Sequence, residues 1–349
     1  MRVRDSVVVI TGASSGIGRA TAAAFARKGC SLVLAARREE ALEAVRRECE
    51  RHRGVEALVV PVDVTDAAAV DELAGRAVRR FGRVDVWVNA AAVTVFGPFE
   101  QTPLEDVRRV LDVNVMGSVH GCRAALRIMR EQGRGTLVNV SSIVGVVSQP
   151  YTHAYGMSKH AVRALSASLR QELLLDEAER IHVCTVLPAT VDTPLFEHAA
   201  NYTGRKPVAM PPVYSPERVA RTIVDLVRVP RREVVVGPMG RSMVMQSKVA
   251  PGLVERTMAR QVDKTHLSRE ETAPAGHGNL HVPASGEGAV HGGWGGRRRT
   301  AMRRLTAAAV LAGAAEASRR IARRAARTGA RRAAGTRRAA GACRVAGRR

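Results

Sequence analysis

The sequence predicts an α/β fold: a doubly wound parallel sheet of about seven strands with helices on both faces, as a single domain with a C-terminal extension. Short apolar runs rich in β-branched residues alternate strictly with helix-compatible segments, and a glycine-rich turn directly follows the first run. Uninterrupted apolar runs read as strands buried on both faces. Strand–helix alternation with right-handed crossovers then implies parallel neighbours.

Val7–Ile10 opens the series and ends in the turn Thr11–Gly18. A helix-compatible stretch, Arg19–Lys28, closes at Gly29 before the second run, Ser31–Ala36. Further strands are expected near 56–62, 84–89, 135–141, 181–187 and 233–236, with helices near 39–53, 67–80, 104–131, 153–178 and 216–228. Residues 240–262 add one or two helices packed on the domain, whose expected span is 1–265. Residues 266–296 read as an irregular extension or linker, with Pro, Gly and His and no periodicity over 272–296. Residues 297–349 are an Arg/Ala-rich low-complexity tail.

Composition bounds the function. A 46% hydrophobic chain of 349 residues builds a sizeable core, and with 3% aromatics that core is mainly Val, Leu, Ile and Ala. No run approaches the roughly 18 apolar residues of a membrane span. The N-terminus enters a strand without a signal segment, so a cytoplasmic location is expected. Cys30, Cys49, Cys122, Cys184 and Cys343 form no CxxC pair and sit at no zinc-ligand spacing, so no metal site is expected. The net charge of +23 suggests a polyanion partner, but residues 297–349 hold +16 of it, leaving an ordinary +7 for the rest.

The turn Thr11-Gly-Ala-Ser-Ser-Gly-Ile-Gly18 lies between a strand and a helix. Glycines at 12, 16 and 18 let the backbone approach a pyrophosphate, and the helix start offers it unpaired N–H groups. Ser14, Ser15 and Ile17 complete this cradle. The GxxxGxG spacing, with the preceding threonine, resembles that of the short-chain dehydrogenase/reductase family, and the resemblance covers about residues 5–240.

That resemblance implies a Rossmann-type fold, a nicotinamide dinucleotide, and a small-molecule carbonyl or alcohol substrate. It implies that Asp63, with Val64 beside it, holds the adenine ring. Asn89-Ala-Ala-Ala92 stands where the family has NNAG, keeping the first Asn and lacking the glycine. Pro188-Ala-Thr-Val-Asp-Thr193 resembles the PGxVxT segment, which places Pro188 and Val191 on the cofactor and gives Thr193 the nicotinamide carboxamide. The second strand ends Ala36-Arg37-Arg38 with no acid before Glu39. Arginines there suit a 2′-phosphate, so NADP(H) is expected ahead of NAD(H).

Tyr155 and Lys159, four apart, share one helical face. A cation beside a phenol favours the phenolate and brings its pKa toward the operating range of a general acid–base group. Such a pair is common by chance; Ser142, closing a strand thirteen residues earlier, gives it weight. Asn114 lies in the stripe Val107, Leu111, Asn114, Ser118, Cys122, Ala125, Met129. The family resemblance implies that Ser142 positions the substrate oxygen and Tyr155 exchanges the proton. It implies further that Lys159 grips the nicotinamide ribose and Asn114 holds a water linking the lysine to solvent.

Residues 194–215 occupy the place of the family's variable substrate loop, and Phe196, Tyr202, Met210 and Val147 suggest a partly apolar pocket with His198 as a further candidate. The resemblance implies a homo-oligomer, dimer or tetramer, packed through helices 104–130 and 153–178. In the tail, Arg320, Arg324, Arg327 and Arg331 share a helical face, and no aromatic residue is present to stack on bases. Weak peripheral contact with anionic membrane is therefore a minor expectation, and nucleic acid is not an expected partner. The alternative to an oxidoreductase is a dinucleotide-binding regulator without catalysis, which has no need of the tyrosine.

Overall fold

The computed structural model describes residues 3–295, and the tail expectations fall outside them. The elements run β1 (Val7–Thr11), α1 (Gly16–Ala26), β2 (Ser31–Ala36), α2 (Glu39–Glu50), β3 (Ala57–Pro61), α3 (Ala67–Phe81) and β4 (Val86–Asn89). Next come β5 (Val95–Phe96), α4 (Leu104–Leu111), α5 (Gly117–Gln132), β6 (Gly135–Val140), α6 (His153–Leu175) and β7 (Ile181–Pro188). The described chain closes with β8 (Ala200–Asn201), β9 (Arg205–Pro207), α7 (Pro216–Arg228), β10 (Glu233–Val236), α8 (Pro238–Val249), α9 (Pro251–Thr265) and β11 (Leu267–Thr272).

A seven-stranded sheet has the order β10-β7-β6-β4-β1-β2-β3, with every pairing parallel. The chain reverses its winding between β1 and β4, which opens a crevice beyond their carboxyl ends. The period-two alternation of strands sorts the core into two layers. Val8, Ile10, Leu32 and Leu34 face α1, α2 and α7. Val9, Val33, Trp87 and Leu137 face α3, α5 and α6.

The expected helix at 104–131 is interrupted by a π-helical turn, Asp112–Met116. The wider turn shifts the helical phase. Its first part therefore buries Asp106, Val110 and Val113, whereas Val107 and Leu111 are only half-buried. Ser118, Cys122, Ala125 and Met129 beyond the turn are buried as the stripe anticipates. Such turns concentrate at functional sites, and this one carries Asn114.

Within the expected irregular extension, residues 267–272 pair antiparallel with β9. Residues 276–295 then run as an irregular strap over the carboxyl end of the sheet. Asn201 and Gly276 exchange a bridge, Leu280 is fully buried in the second core layer, and Val290 packs on the first. No helix among the described residues is long and apolar enough to cross a membrane.

Candidate active site

The β1–α1 turn forms the floor of the crevice. Gly12 has φ +70°, and a Cβ on it would lie 2.7 Å from the Ala91 backbone. A Cβ on Gly18 would lie 2.1 Å from the Gly12 carbonyl oxygen, so no side chain fits there. This is the close packing that lets a helix N-terminus meet an anion.

One cleft is lined by Gly12, Ser14, Ser15, Gly16, Ile17, Gly18, Arg37, Arg38, Asp63, Val64, Ser142, Tyr155, Lys159, Pro188, Val191 and Thr193. The candidates from six separate segments therefore meet. Two do not reach the lining. Asn89 is buried beneath it, accepting from Trp87 Nε1 (2.8 Å) and donating to Asn139 Oδ1 (2.9 Å); Ala90, Ala91 and Ala92 form that wall instead. Asn114 lies behind the cleft. Its Oδ1 accepts from Val93 N–H (2.9 Å), and its Nδ2 donates to Val93 O (3.0 Å) and Ser158 Oγ (2.9 Å). Ser158 in turn donates to the Tyr155 carbonyl at 2.7 Å. Asn114 thus ties the cleft wall at Val93 to the turn of α6 that carries Tyr155.

At the centre, the Lys159 ammonium lies 5.3 Å from the Tyr155 ring centroid and donates to the Val140 carbonyl at 3.0 Å. The Ser142 hydroxyl accepts from Val144 N–H at 3.2 Å. Burial lowers the Lys159 pKa to about 8. It also pushes Tyr155 up to about 12, with a hydrogen bond from Ser142 offsetting part of the rise. The Tyr155–Lys159 spacing predicts a phenol lowered by its cation. Here desolvation, which disfavours every buried charge, raises it instead.

Burial pushes Asp63 up, but hydrogen bonds from Thr65 and Arg109 outweigh it and hold the carboxyl below its usual range. Arg109 reaches Asp63 Oδ2 at 2.6 Å and lies outside the sequence expectations. Nothing in its spacing marks it; α4 delivers it from 46 residues away.

Of the substrate-loop residues, Phe196, His198 and Met210 line the cleft. Val147 and Met210 pack with Val254, Met258 and Val262 of α9, and Tyr202 bonds outside the cleft to Asp106 at 2.6 Å. His266 also lines the cleft, between the rings of Phe96 and Phe196 at 5.0 and 5.3 Å. Burial lowers its pKa to about 4, so it is neutral.

The strap takes several of the cleft's donors. Arg37 donates to the carbonyls of Asn279 (2.7 Å) and Leu280 (3.2 Å). Arg38 donates to those of Ala284 (3.2 Å) and Gly286 (2.9 Å). The Gly16 N–H of the cradle donates to Ala289 O at 2.8 Å. At the far rim, Asp192 accepts from the N–H groups of Gly292, Trp294 and Gly295.

A family model described as short chain dehydrogenase matches residues 6–203. The chain belongs to that family. It is 34% identical over 320 residues to the uncharacterized oxidoreductase YxnA of Bacillus subtilis, covering 89% of each chain. It is 35% identical over 277 residues to dehydrogenase/reductase SDR family member 7B of Bos taurus, covering 76% of this chain and 84% of that one. Among solved structures, it is similar to a Burkholderia phymatum short-chain dehydrogenase/reductase in complex with NAD, at TM-score 0.65 and 29% identity over 73% of this chain and 97% of that one. It is likewise similar to an alcohol dehydrogenase of Thermococcus sibiricus complexed with 5-hydroxy-NADP, at TM-score 0.58 and 30% identity, covering 66% of this chain and 96% of that one. Membership makes the chain a short-chain dehydrogenase/reductase, an oxidoreductase with the α/β sheet described above.

Proposed function

We propose that this enzyme transfers a hydride between NADP(H) and a carbonyl or secondary alcohol, with Tyr155 as proton donor and acceptor. The observation that carries the reading is convergence: a phenol, an ammonium and a hydroxyl from two segments meet in the cleft floored by the β1–α1 glycine cradle. The bound dinucleotide supplies the hydride or takes it up. The protein's own residues do the rest.

In this reading Ser142 hydrogen-bonds the substrate oxygen and holds it against the Tyr155 hydroxyl. In carbonyl reduction the neutral phenol donates its proton to that oxygen. A phenol held near 12 is in the protonated form this direction requires. Lys159, charged at neutral pH with a pKa of about 8, binds the ribose hydroxyls and stabilises the phenolate left behind. Oxidation runs the same proton transfer in reverse. Asn114 acts through others: it holds the Val93 wall and, by way of Ser158, the Tyr155 turn.

Cofactor contacts fall to Gly12, Ser14, Ser15, Gly16, Ile17 and Gly18 at the pyrophosphate, Asp63 and Val64 at the adenine, and Pro188, Val191 and Thr193 at the nicotinamide. The NADP(H) preference rests on Arg37 and Arg38. Both guanidiniums are aimed at oxygen acceptors in the strap, the same chemistry a 2′-phosphate offers. Losing one charge-assisted bond costs about 1.5–3 kcal/mol. Arg37→Ala is expected to weaken NADPH roughly ten- to a hundredfold while changing NADH little; equal loss for both cofactors would reverse the preference.

Tyr155→Phe tests the chemistry. Turnover of a carbonyl panel with NADPH should fall by at least three orders of magnitude while NADPH binding, read by fluorescence, stays within about threefold. Residual turnover near the parent rate would leave Tyr155 without its role. A homo-oligomer is part of the proposal: Leu104 of α4, Met116 of the π-helical turn, and Met157, Leu174 and Leu175 of α6 are exposed, apolar side chains that a second copy would cover. Light scattering at the monomer mass would refute it.

A further inference from the structure

Outside the catalytic cleft, one buried carboxylate is surrounded by imidazoles. Asp106 on α4 is fully buried. His277 Nδ1 lies 3.0 and 3.1 Å from its two oxygens, and His281 Nε2 lies 2.8 Å from Oδ1. The three ligand atoms lie within 4.8 Å of one another. Tyr202 donates to Asp106 Oδ2 at 2.6 Å and lies 3.0 Å from His277 Nδ1, while both histidines reach Oδ1. That arrangement has the character of a metal site: nitrogen and oxygen donors converge, and an outer hydrogen bond fixes the carboxylate.

We propose that Asp106, His277 and His281 bind a zinc-class divalent cation that fastens the C-terminal strap to the body of the enzyme. Two ligands belong to the strap and one to the body, so the ion ties them together. Across a tetrahedral zinc with bonds of about 2.0 Å, ligand atoms stand about 3.3 Å apart. The carboxylate-to-imidazole distances of 2.8 to 3.1 Å need to widen by only a few tenths of an ångström. Both imidazoles are about half exposed, with side-chain exposures of 58% and 43%, so they are free to turn onto the ion. Imidazole with a single carboxylate suits zinc and its first-row neighbours, whereas magnesium and calcium take oxygen donors.

The clip has a mechanical consequence. Between the two histidines lie Asn279 and the fully buried Leu280. Their carbonyls receive Arg37, and that of Leu280 also receives Arg109 Nε at 3.0 Å. Arg109 holds Asp63. The ion therefore anchors the strap where it meets the adenosine end of the cleft.

The experiment uses the tag-free full chain, stripped with chelator and titrated with Zn²⁺ by calorimetry and with Co²⁺ by visible absorption. Hydrogen exchange is followed at residues 277–283. The expected result is one ion per chain, visible Co²⁺ bands, and exchange in that segment slowed at least fivefold by Zn²⁺. His277→Gln/His281→Gln, in which the half-exposed ligands are replaced without disturbing the core, should weaken binding at least a hundredfold and abolish the protection. Asp106→Asn should weaken binding at least tenfold. The proposal is overturned if the parent binds no stoichiometric Zn²⁺, if the double variant binds it equally well, or if binding leaves exchange at 277–283 unchanged.

Discussion

Replacing Lys159 by Met separates what the ammonium contributes to binding from what its burial costs the fold. Lys159 is 3% exposed, and burial lowers its pKa from 10.5 to about 8. That difference corresponds to about 3 kcal/mol of disfavoured ammonium at neutral pH, where the side chain is charged in both folded and unfolded chains. Methionine fills a similar volume without a charge. It leaves the Val140 carbonyl without the charge-assisted bond of 3.0 Å, a loss of about 1.5 kcal/mol. The net expectation is a gain of about 1.5 kcal/mol at pH 7, or roughly 2–3 °C in Tm for a domain of this size. The same group sets a pH dependence. Because the folded pKa lies below the unfolded one, the parent's stability rises with pH between about 8 and 10.5, and this rise is absent in the variant. Over the same range the folded parent loses the ammonium proposed to hold the ribose. NADPH affinity, measured by fluorescence on the free enzyme, should weaken between pH 7 and 9 by a factor approaching ten. The Met variant should bind weakly and independently of pH. A variant melting at or below the parent at pH 7, or a parent whose affinity is flat from pH 7 to 9, would refute the reasoning.

Gly18→Ala places a Cβ 2.1 Å from the Gly12 carbonyl oxygen. The turn must open, and NADPH affinity should fall at least thirtyfold with a lower Tm; near-parental binding would show that the cradle tolerates side chains. Asn114→Leu removes the partners of Val93 and Ser158, so kcat should drop at least tenfold with KM for NADPH within threefold, and a KM effect alone would contradict a positioning role. Gly288 has φ +72°, and a Cβ there would lie 2.4 Å from the Ser14 carbonyl oxygen. Gly288→Val should therefore lift the strap, freeing Arg38 and the Gly16 N–H; hydrogen exchange at 284–290 should quicken and NADPH bind several-fold tighter, whereas unchanged exchange would show that the strap yields locally instead.

The sheet was legible because its strands advertise themselves: runs such as Val7–Ile10 and Val86–Val88 are apolar on both faces, as strands covered by helices must be. The cradle and the Tyr155–Lys159 pair were legible because their geometry is local. The π-helical turn at Asp112–Met116 was not, since no residue pattern marks one extra residue in a helical turn. Asn89 shows a related limit: at a strand end, one register step decides whether a side chain meets the cleft or the helix layer beneath. Asn89 takes the layer, where Trp87 and Asn139 satisfy its amide. The Asp106–His277–His281 cluster carries no spacing signature, because Asp106 lies 171 residues before His277.

The strap changes what the arginines at the end of β2 can mean. From sequence they are phosphate ligands; in the structure they hold backbone carbonyls, and so does the Gly16 N–H of the cradle. These contacts use the donors that the proposed NADP(H) reading assigns to the cofactor's phosphates, so in that reading strap and cofactor compete for the same N–H groups. The competition is not total. Leu280 is anchored in the core, Asp192 holds residues 292–295 at the opposite rim, and only the span between them faces the cradle. A segment pinned at both ends can yield in the middle without leaving the enzyme. Under the proposed NADP(H) reading, dinucleotide binding exchanges neutral carbonyl acceptors for charged phosphates on the same guanidiniums, an exchange favoured by the stronger charge-assisted bond. Its cost is the release of the strap's middle, which makes the tightness of the anchor at Leu280 a determinant of cofactor affinity.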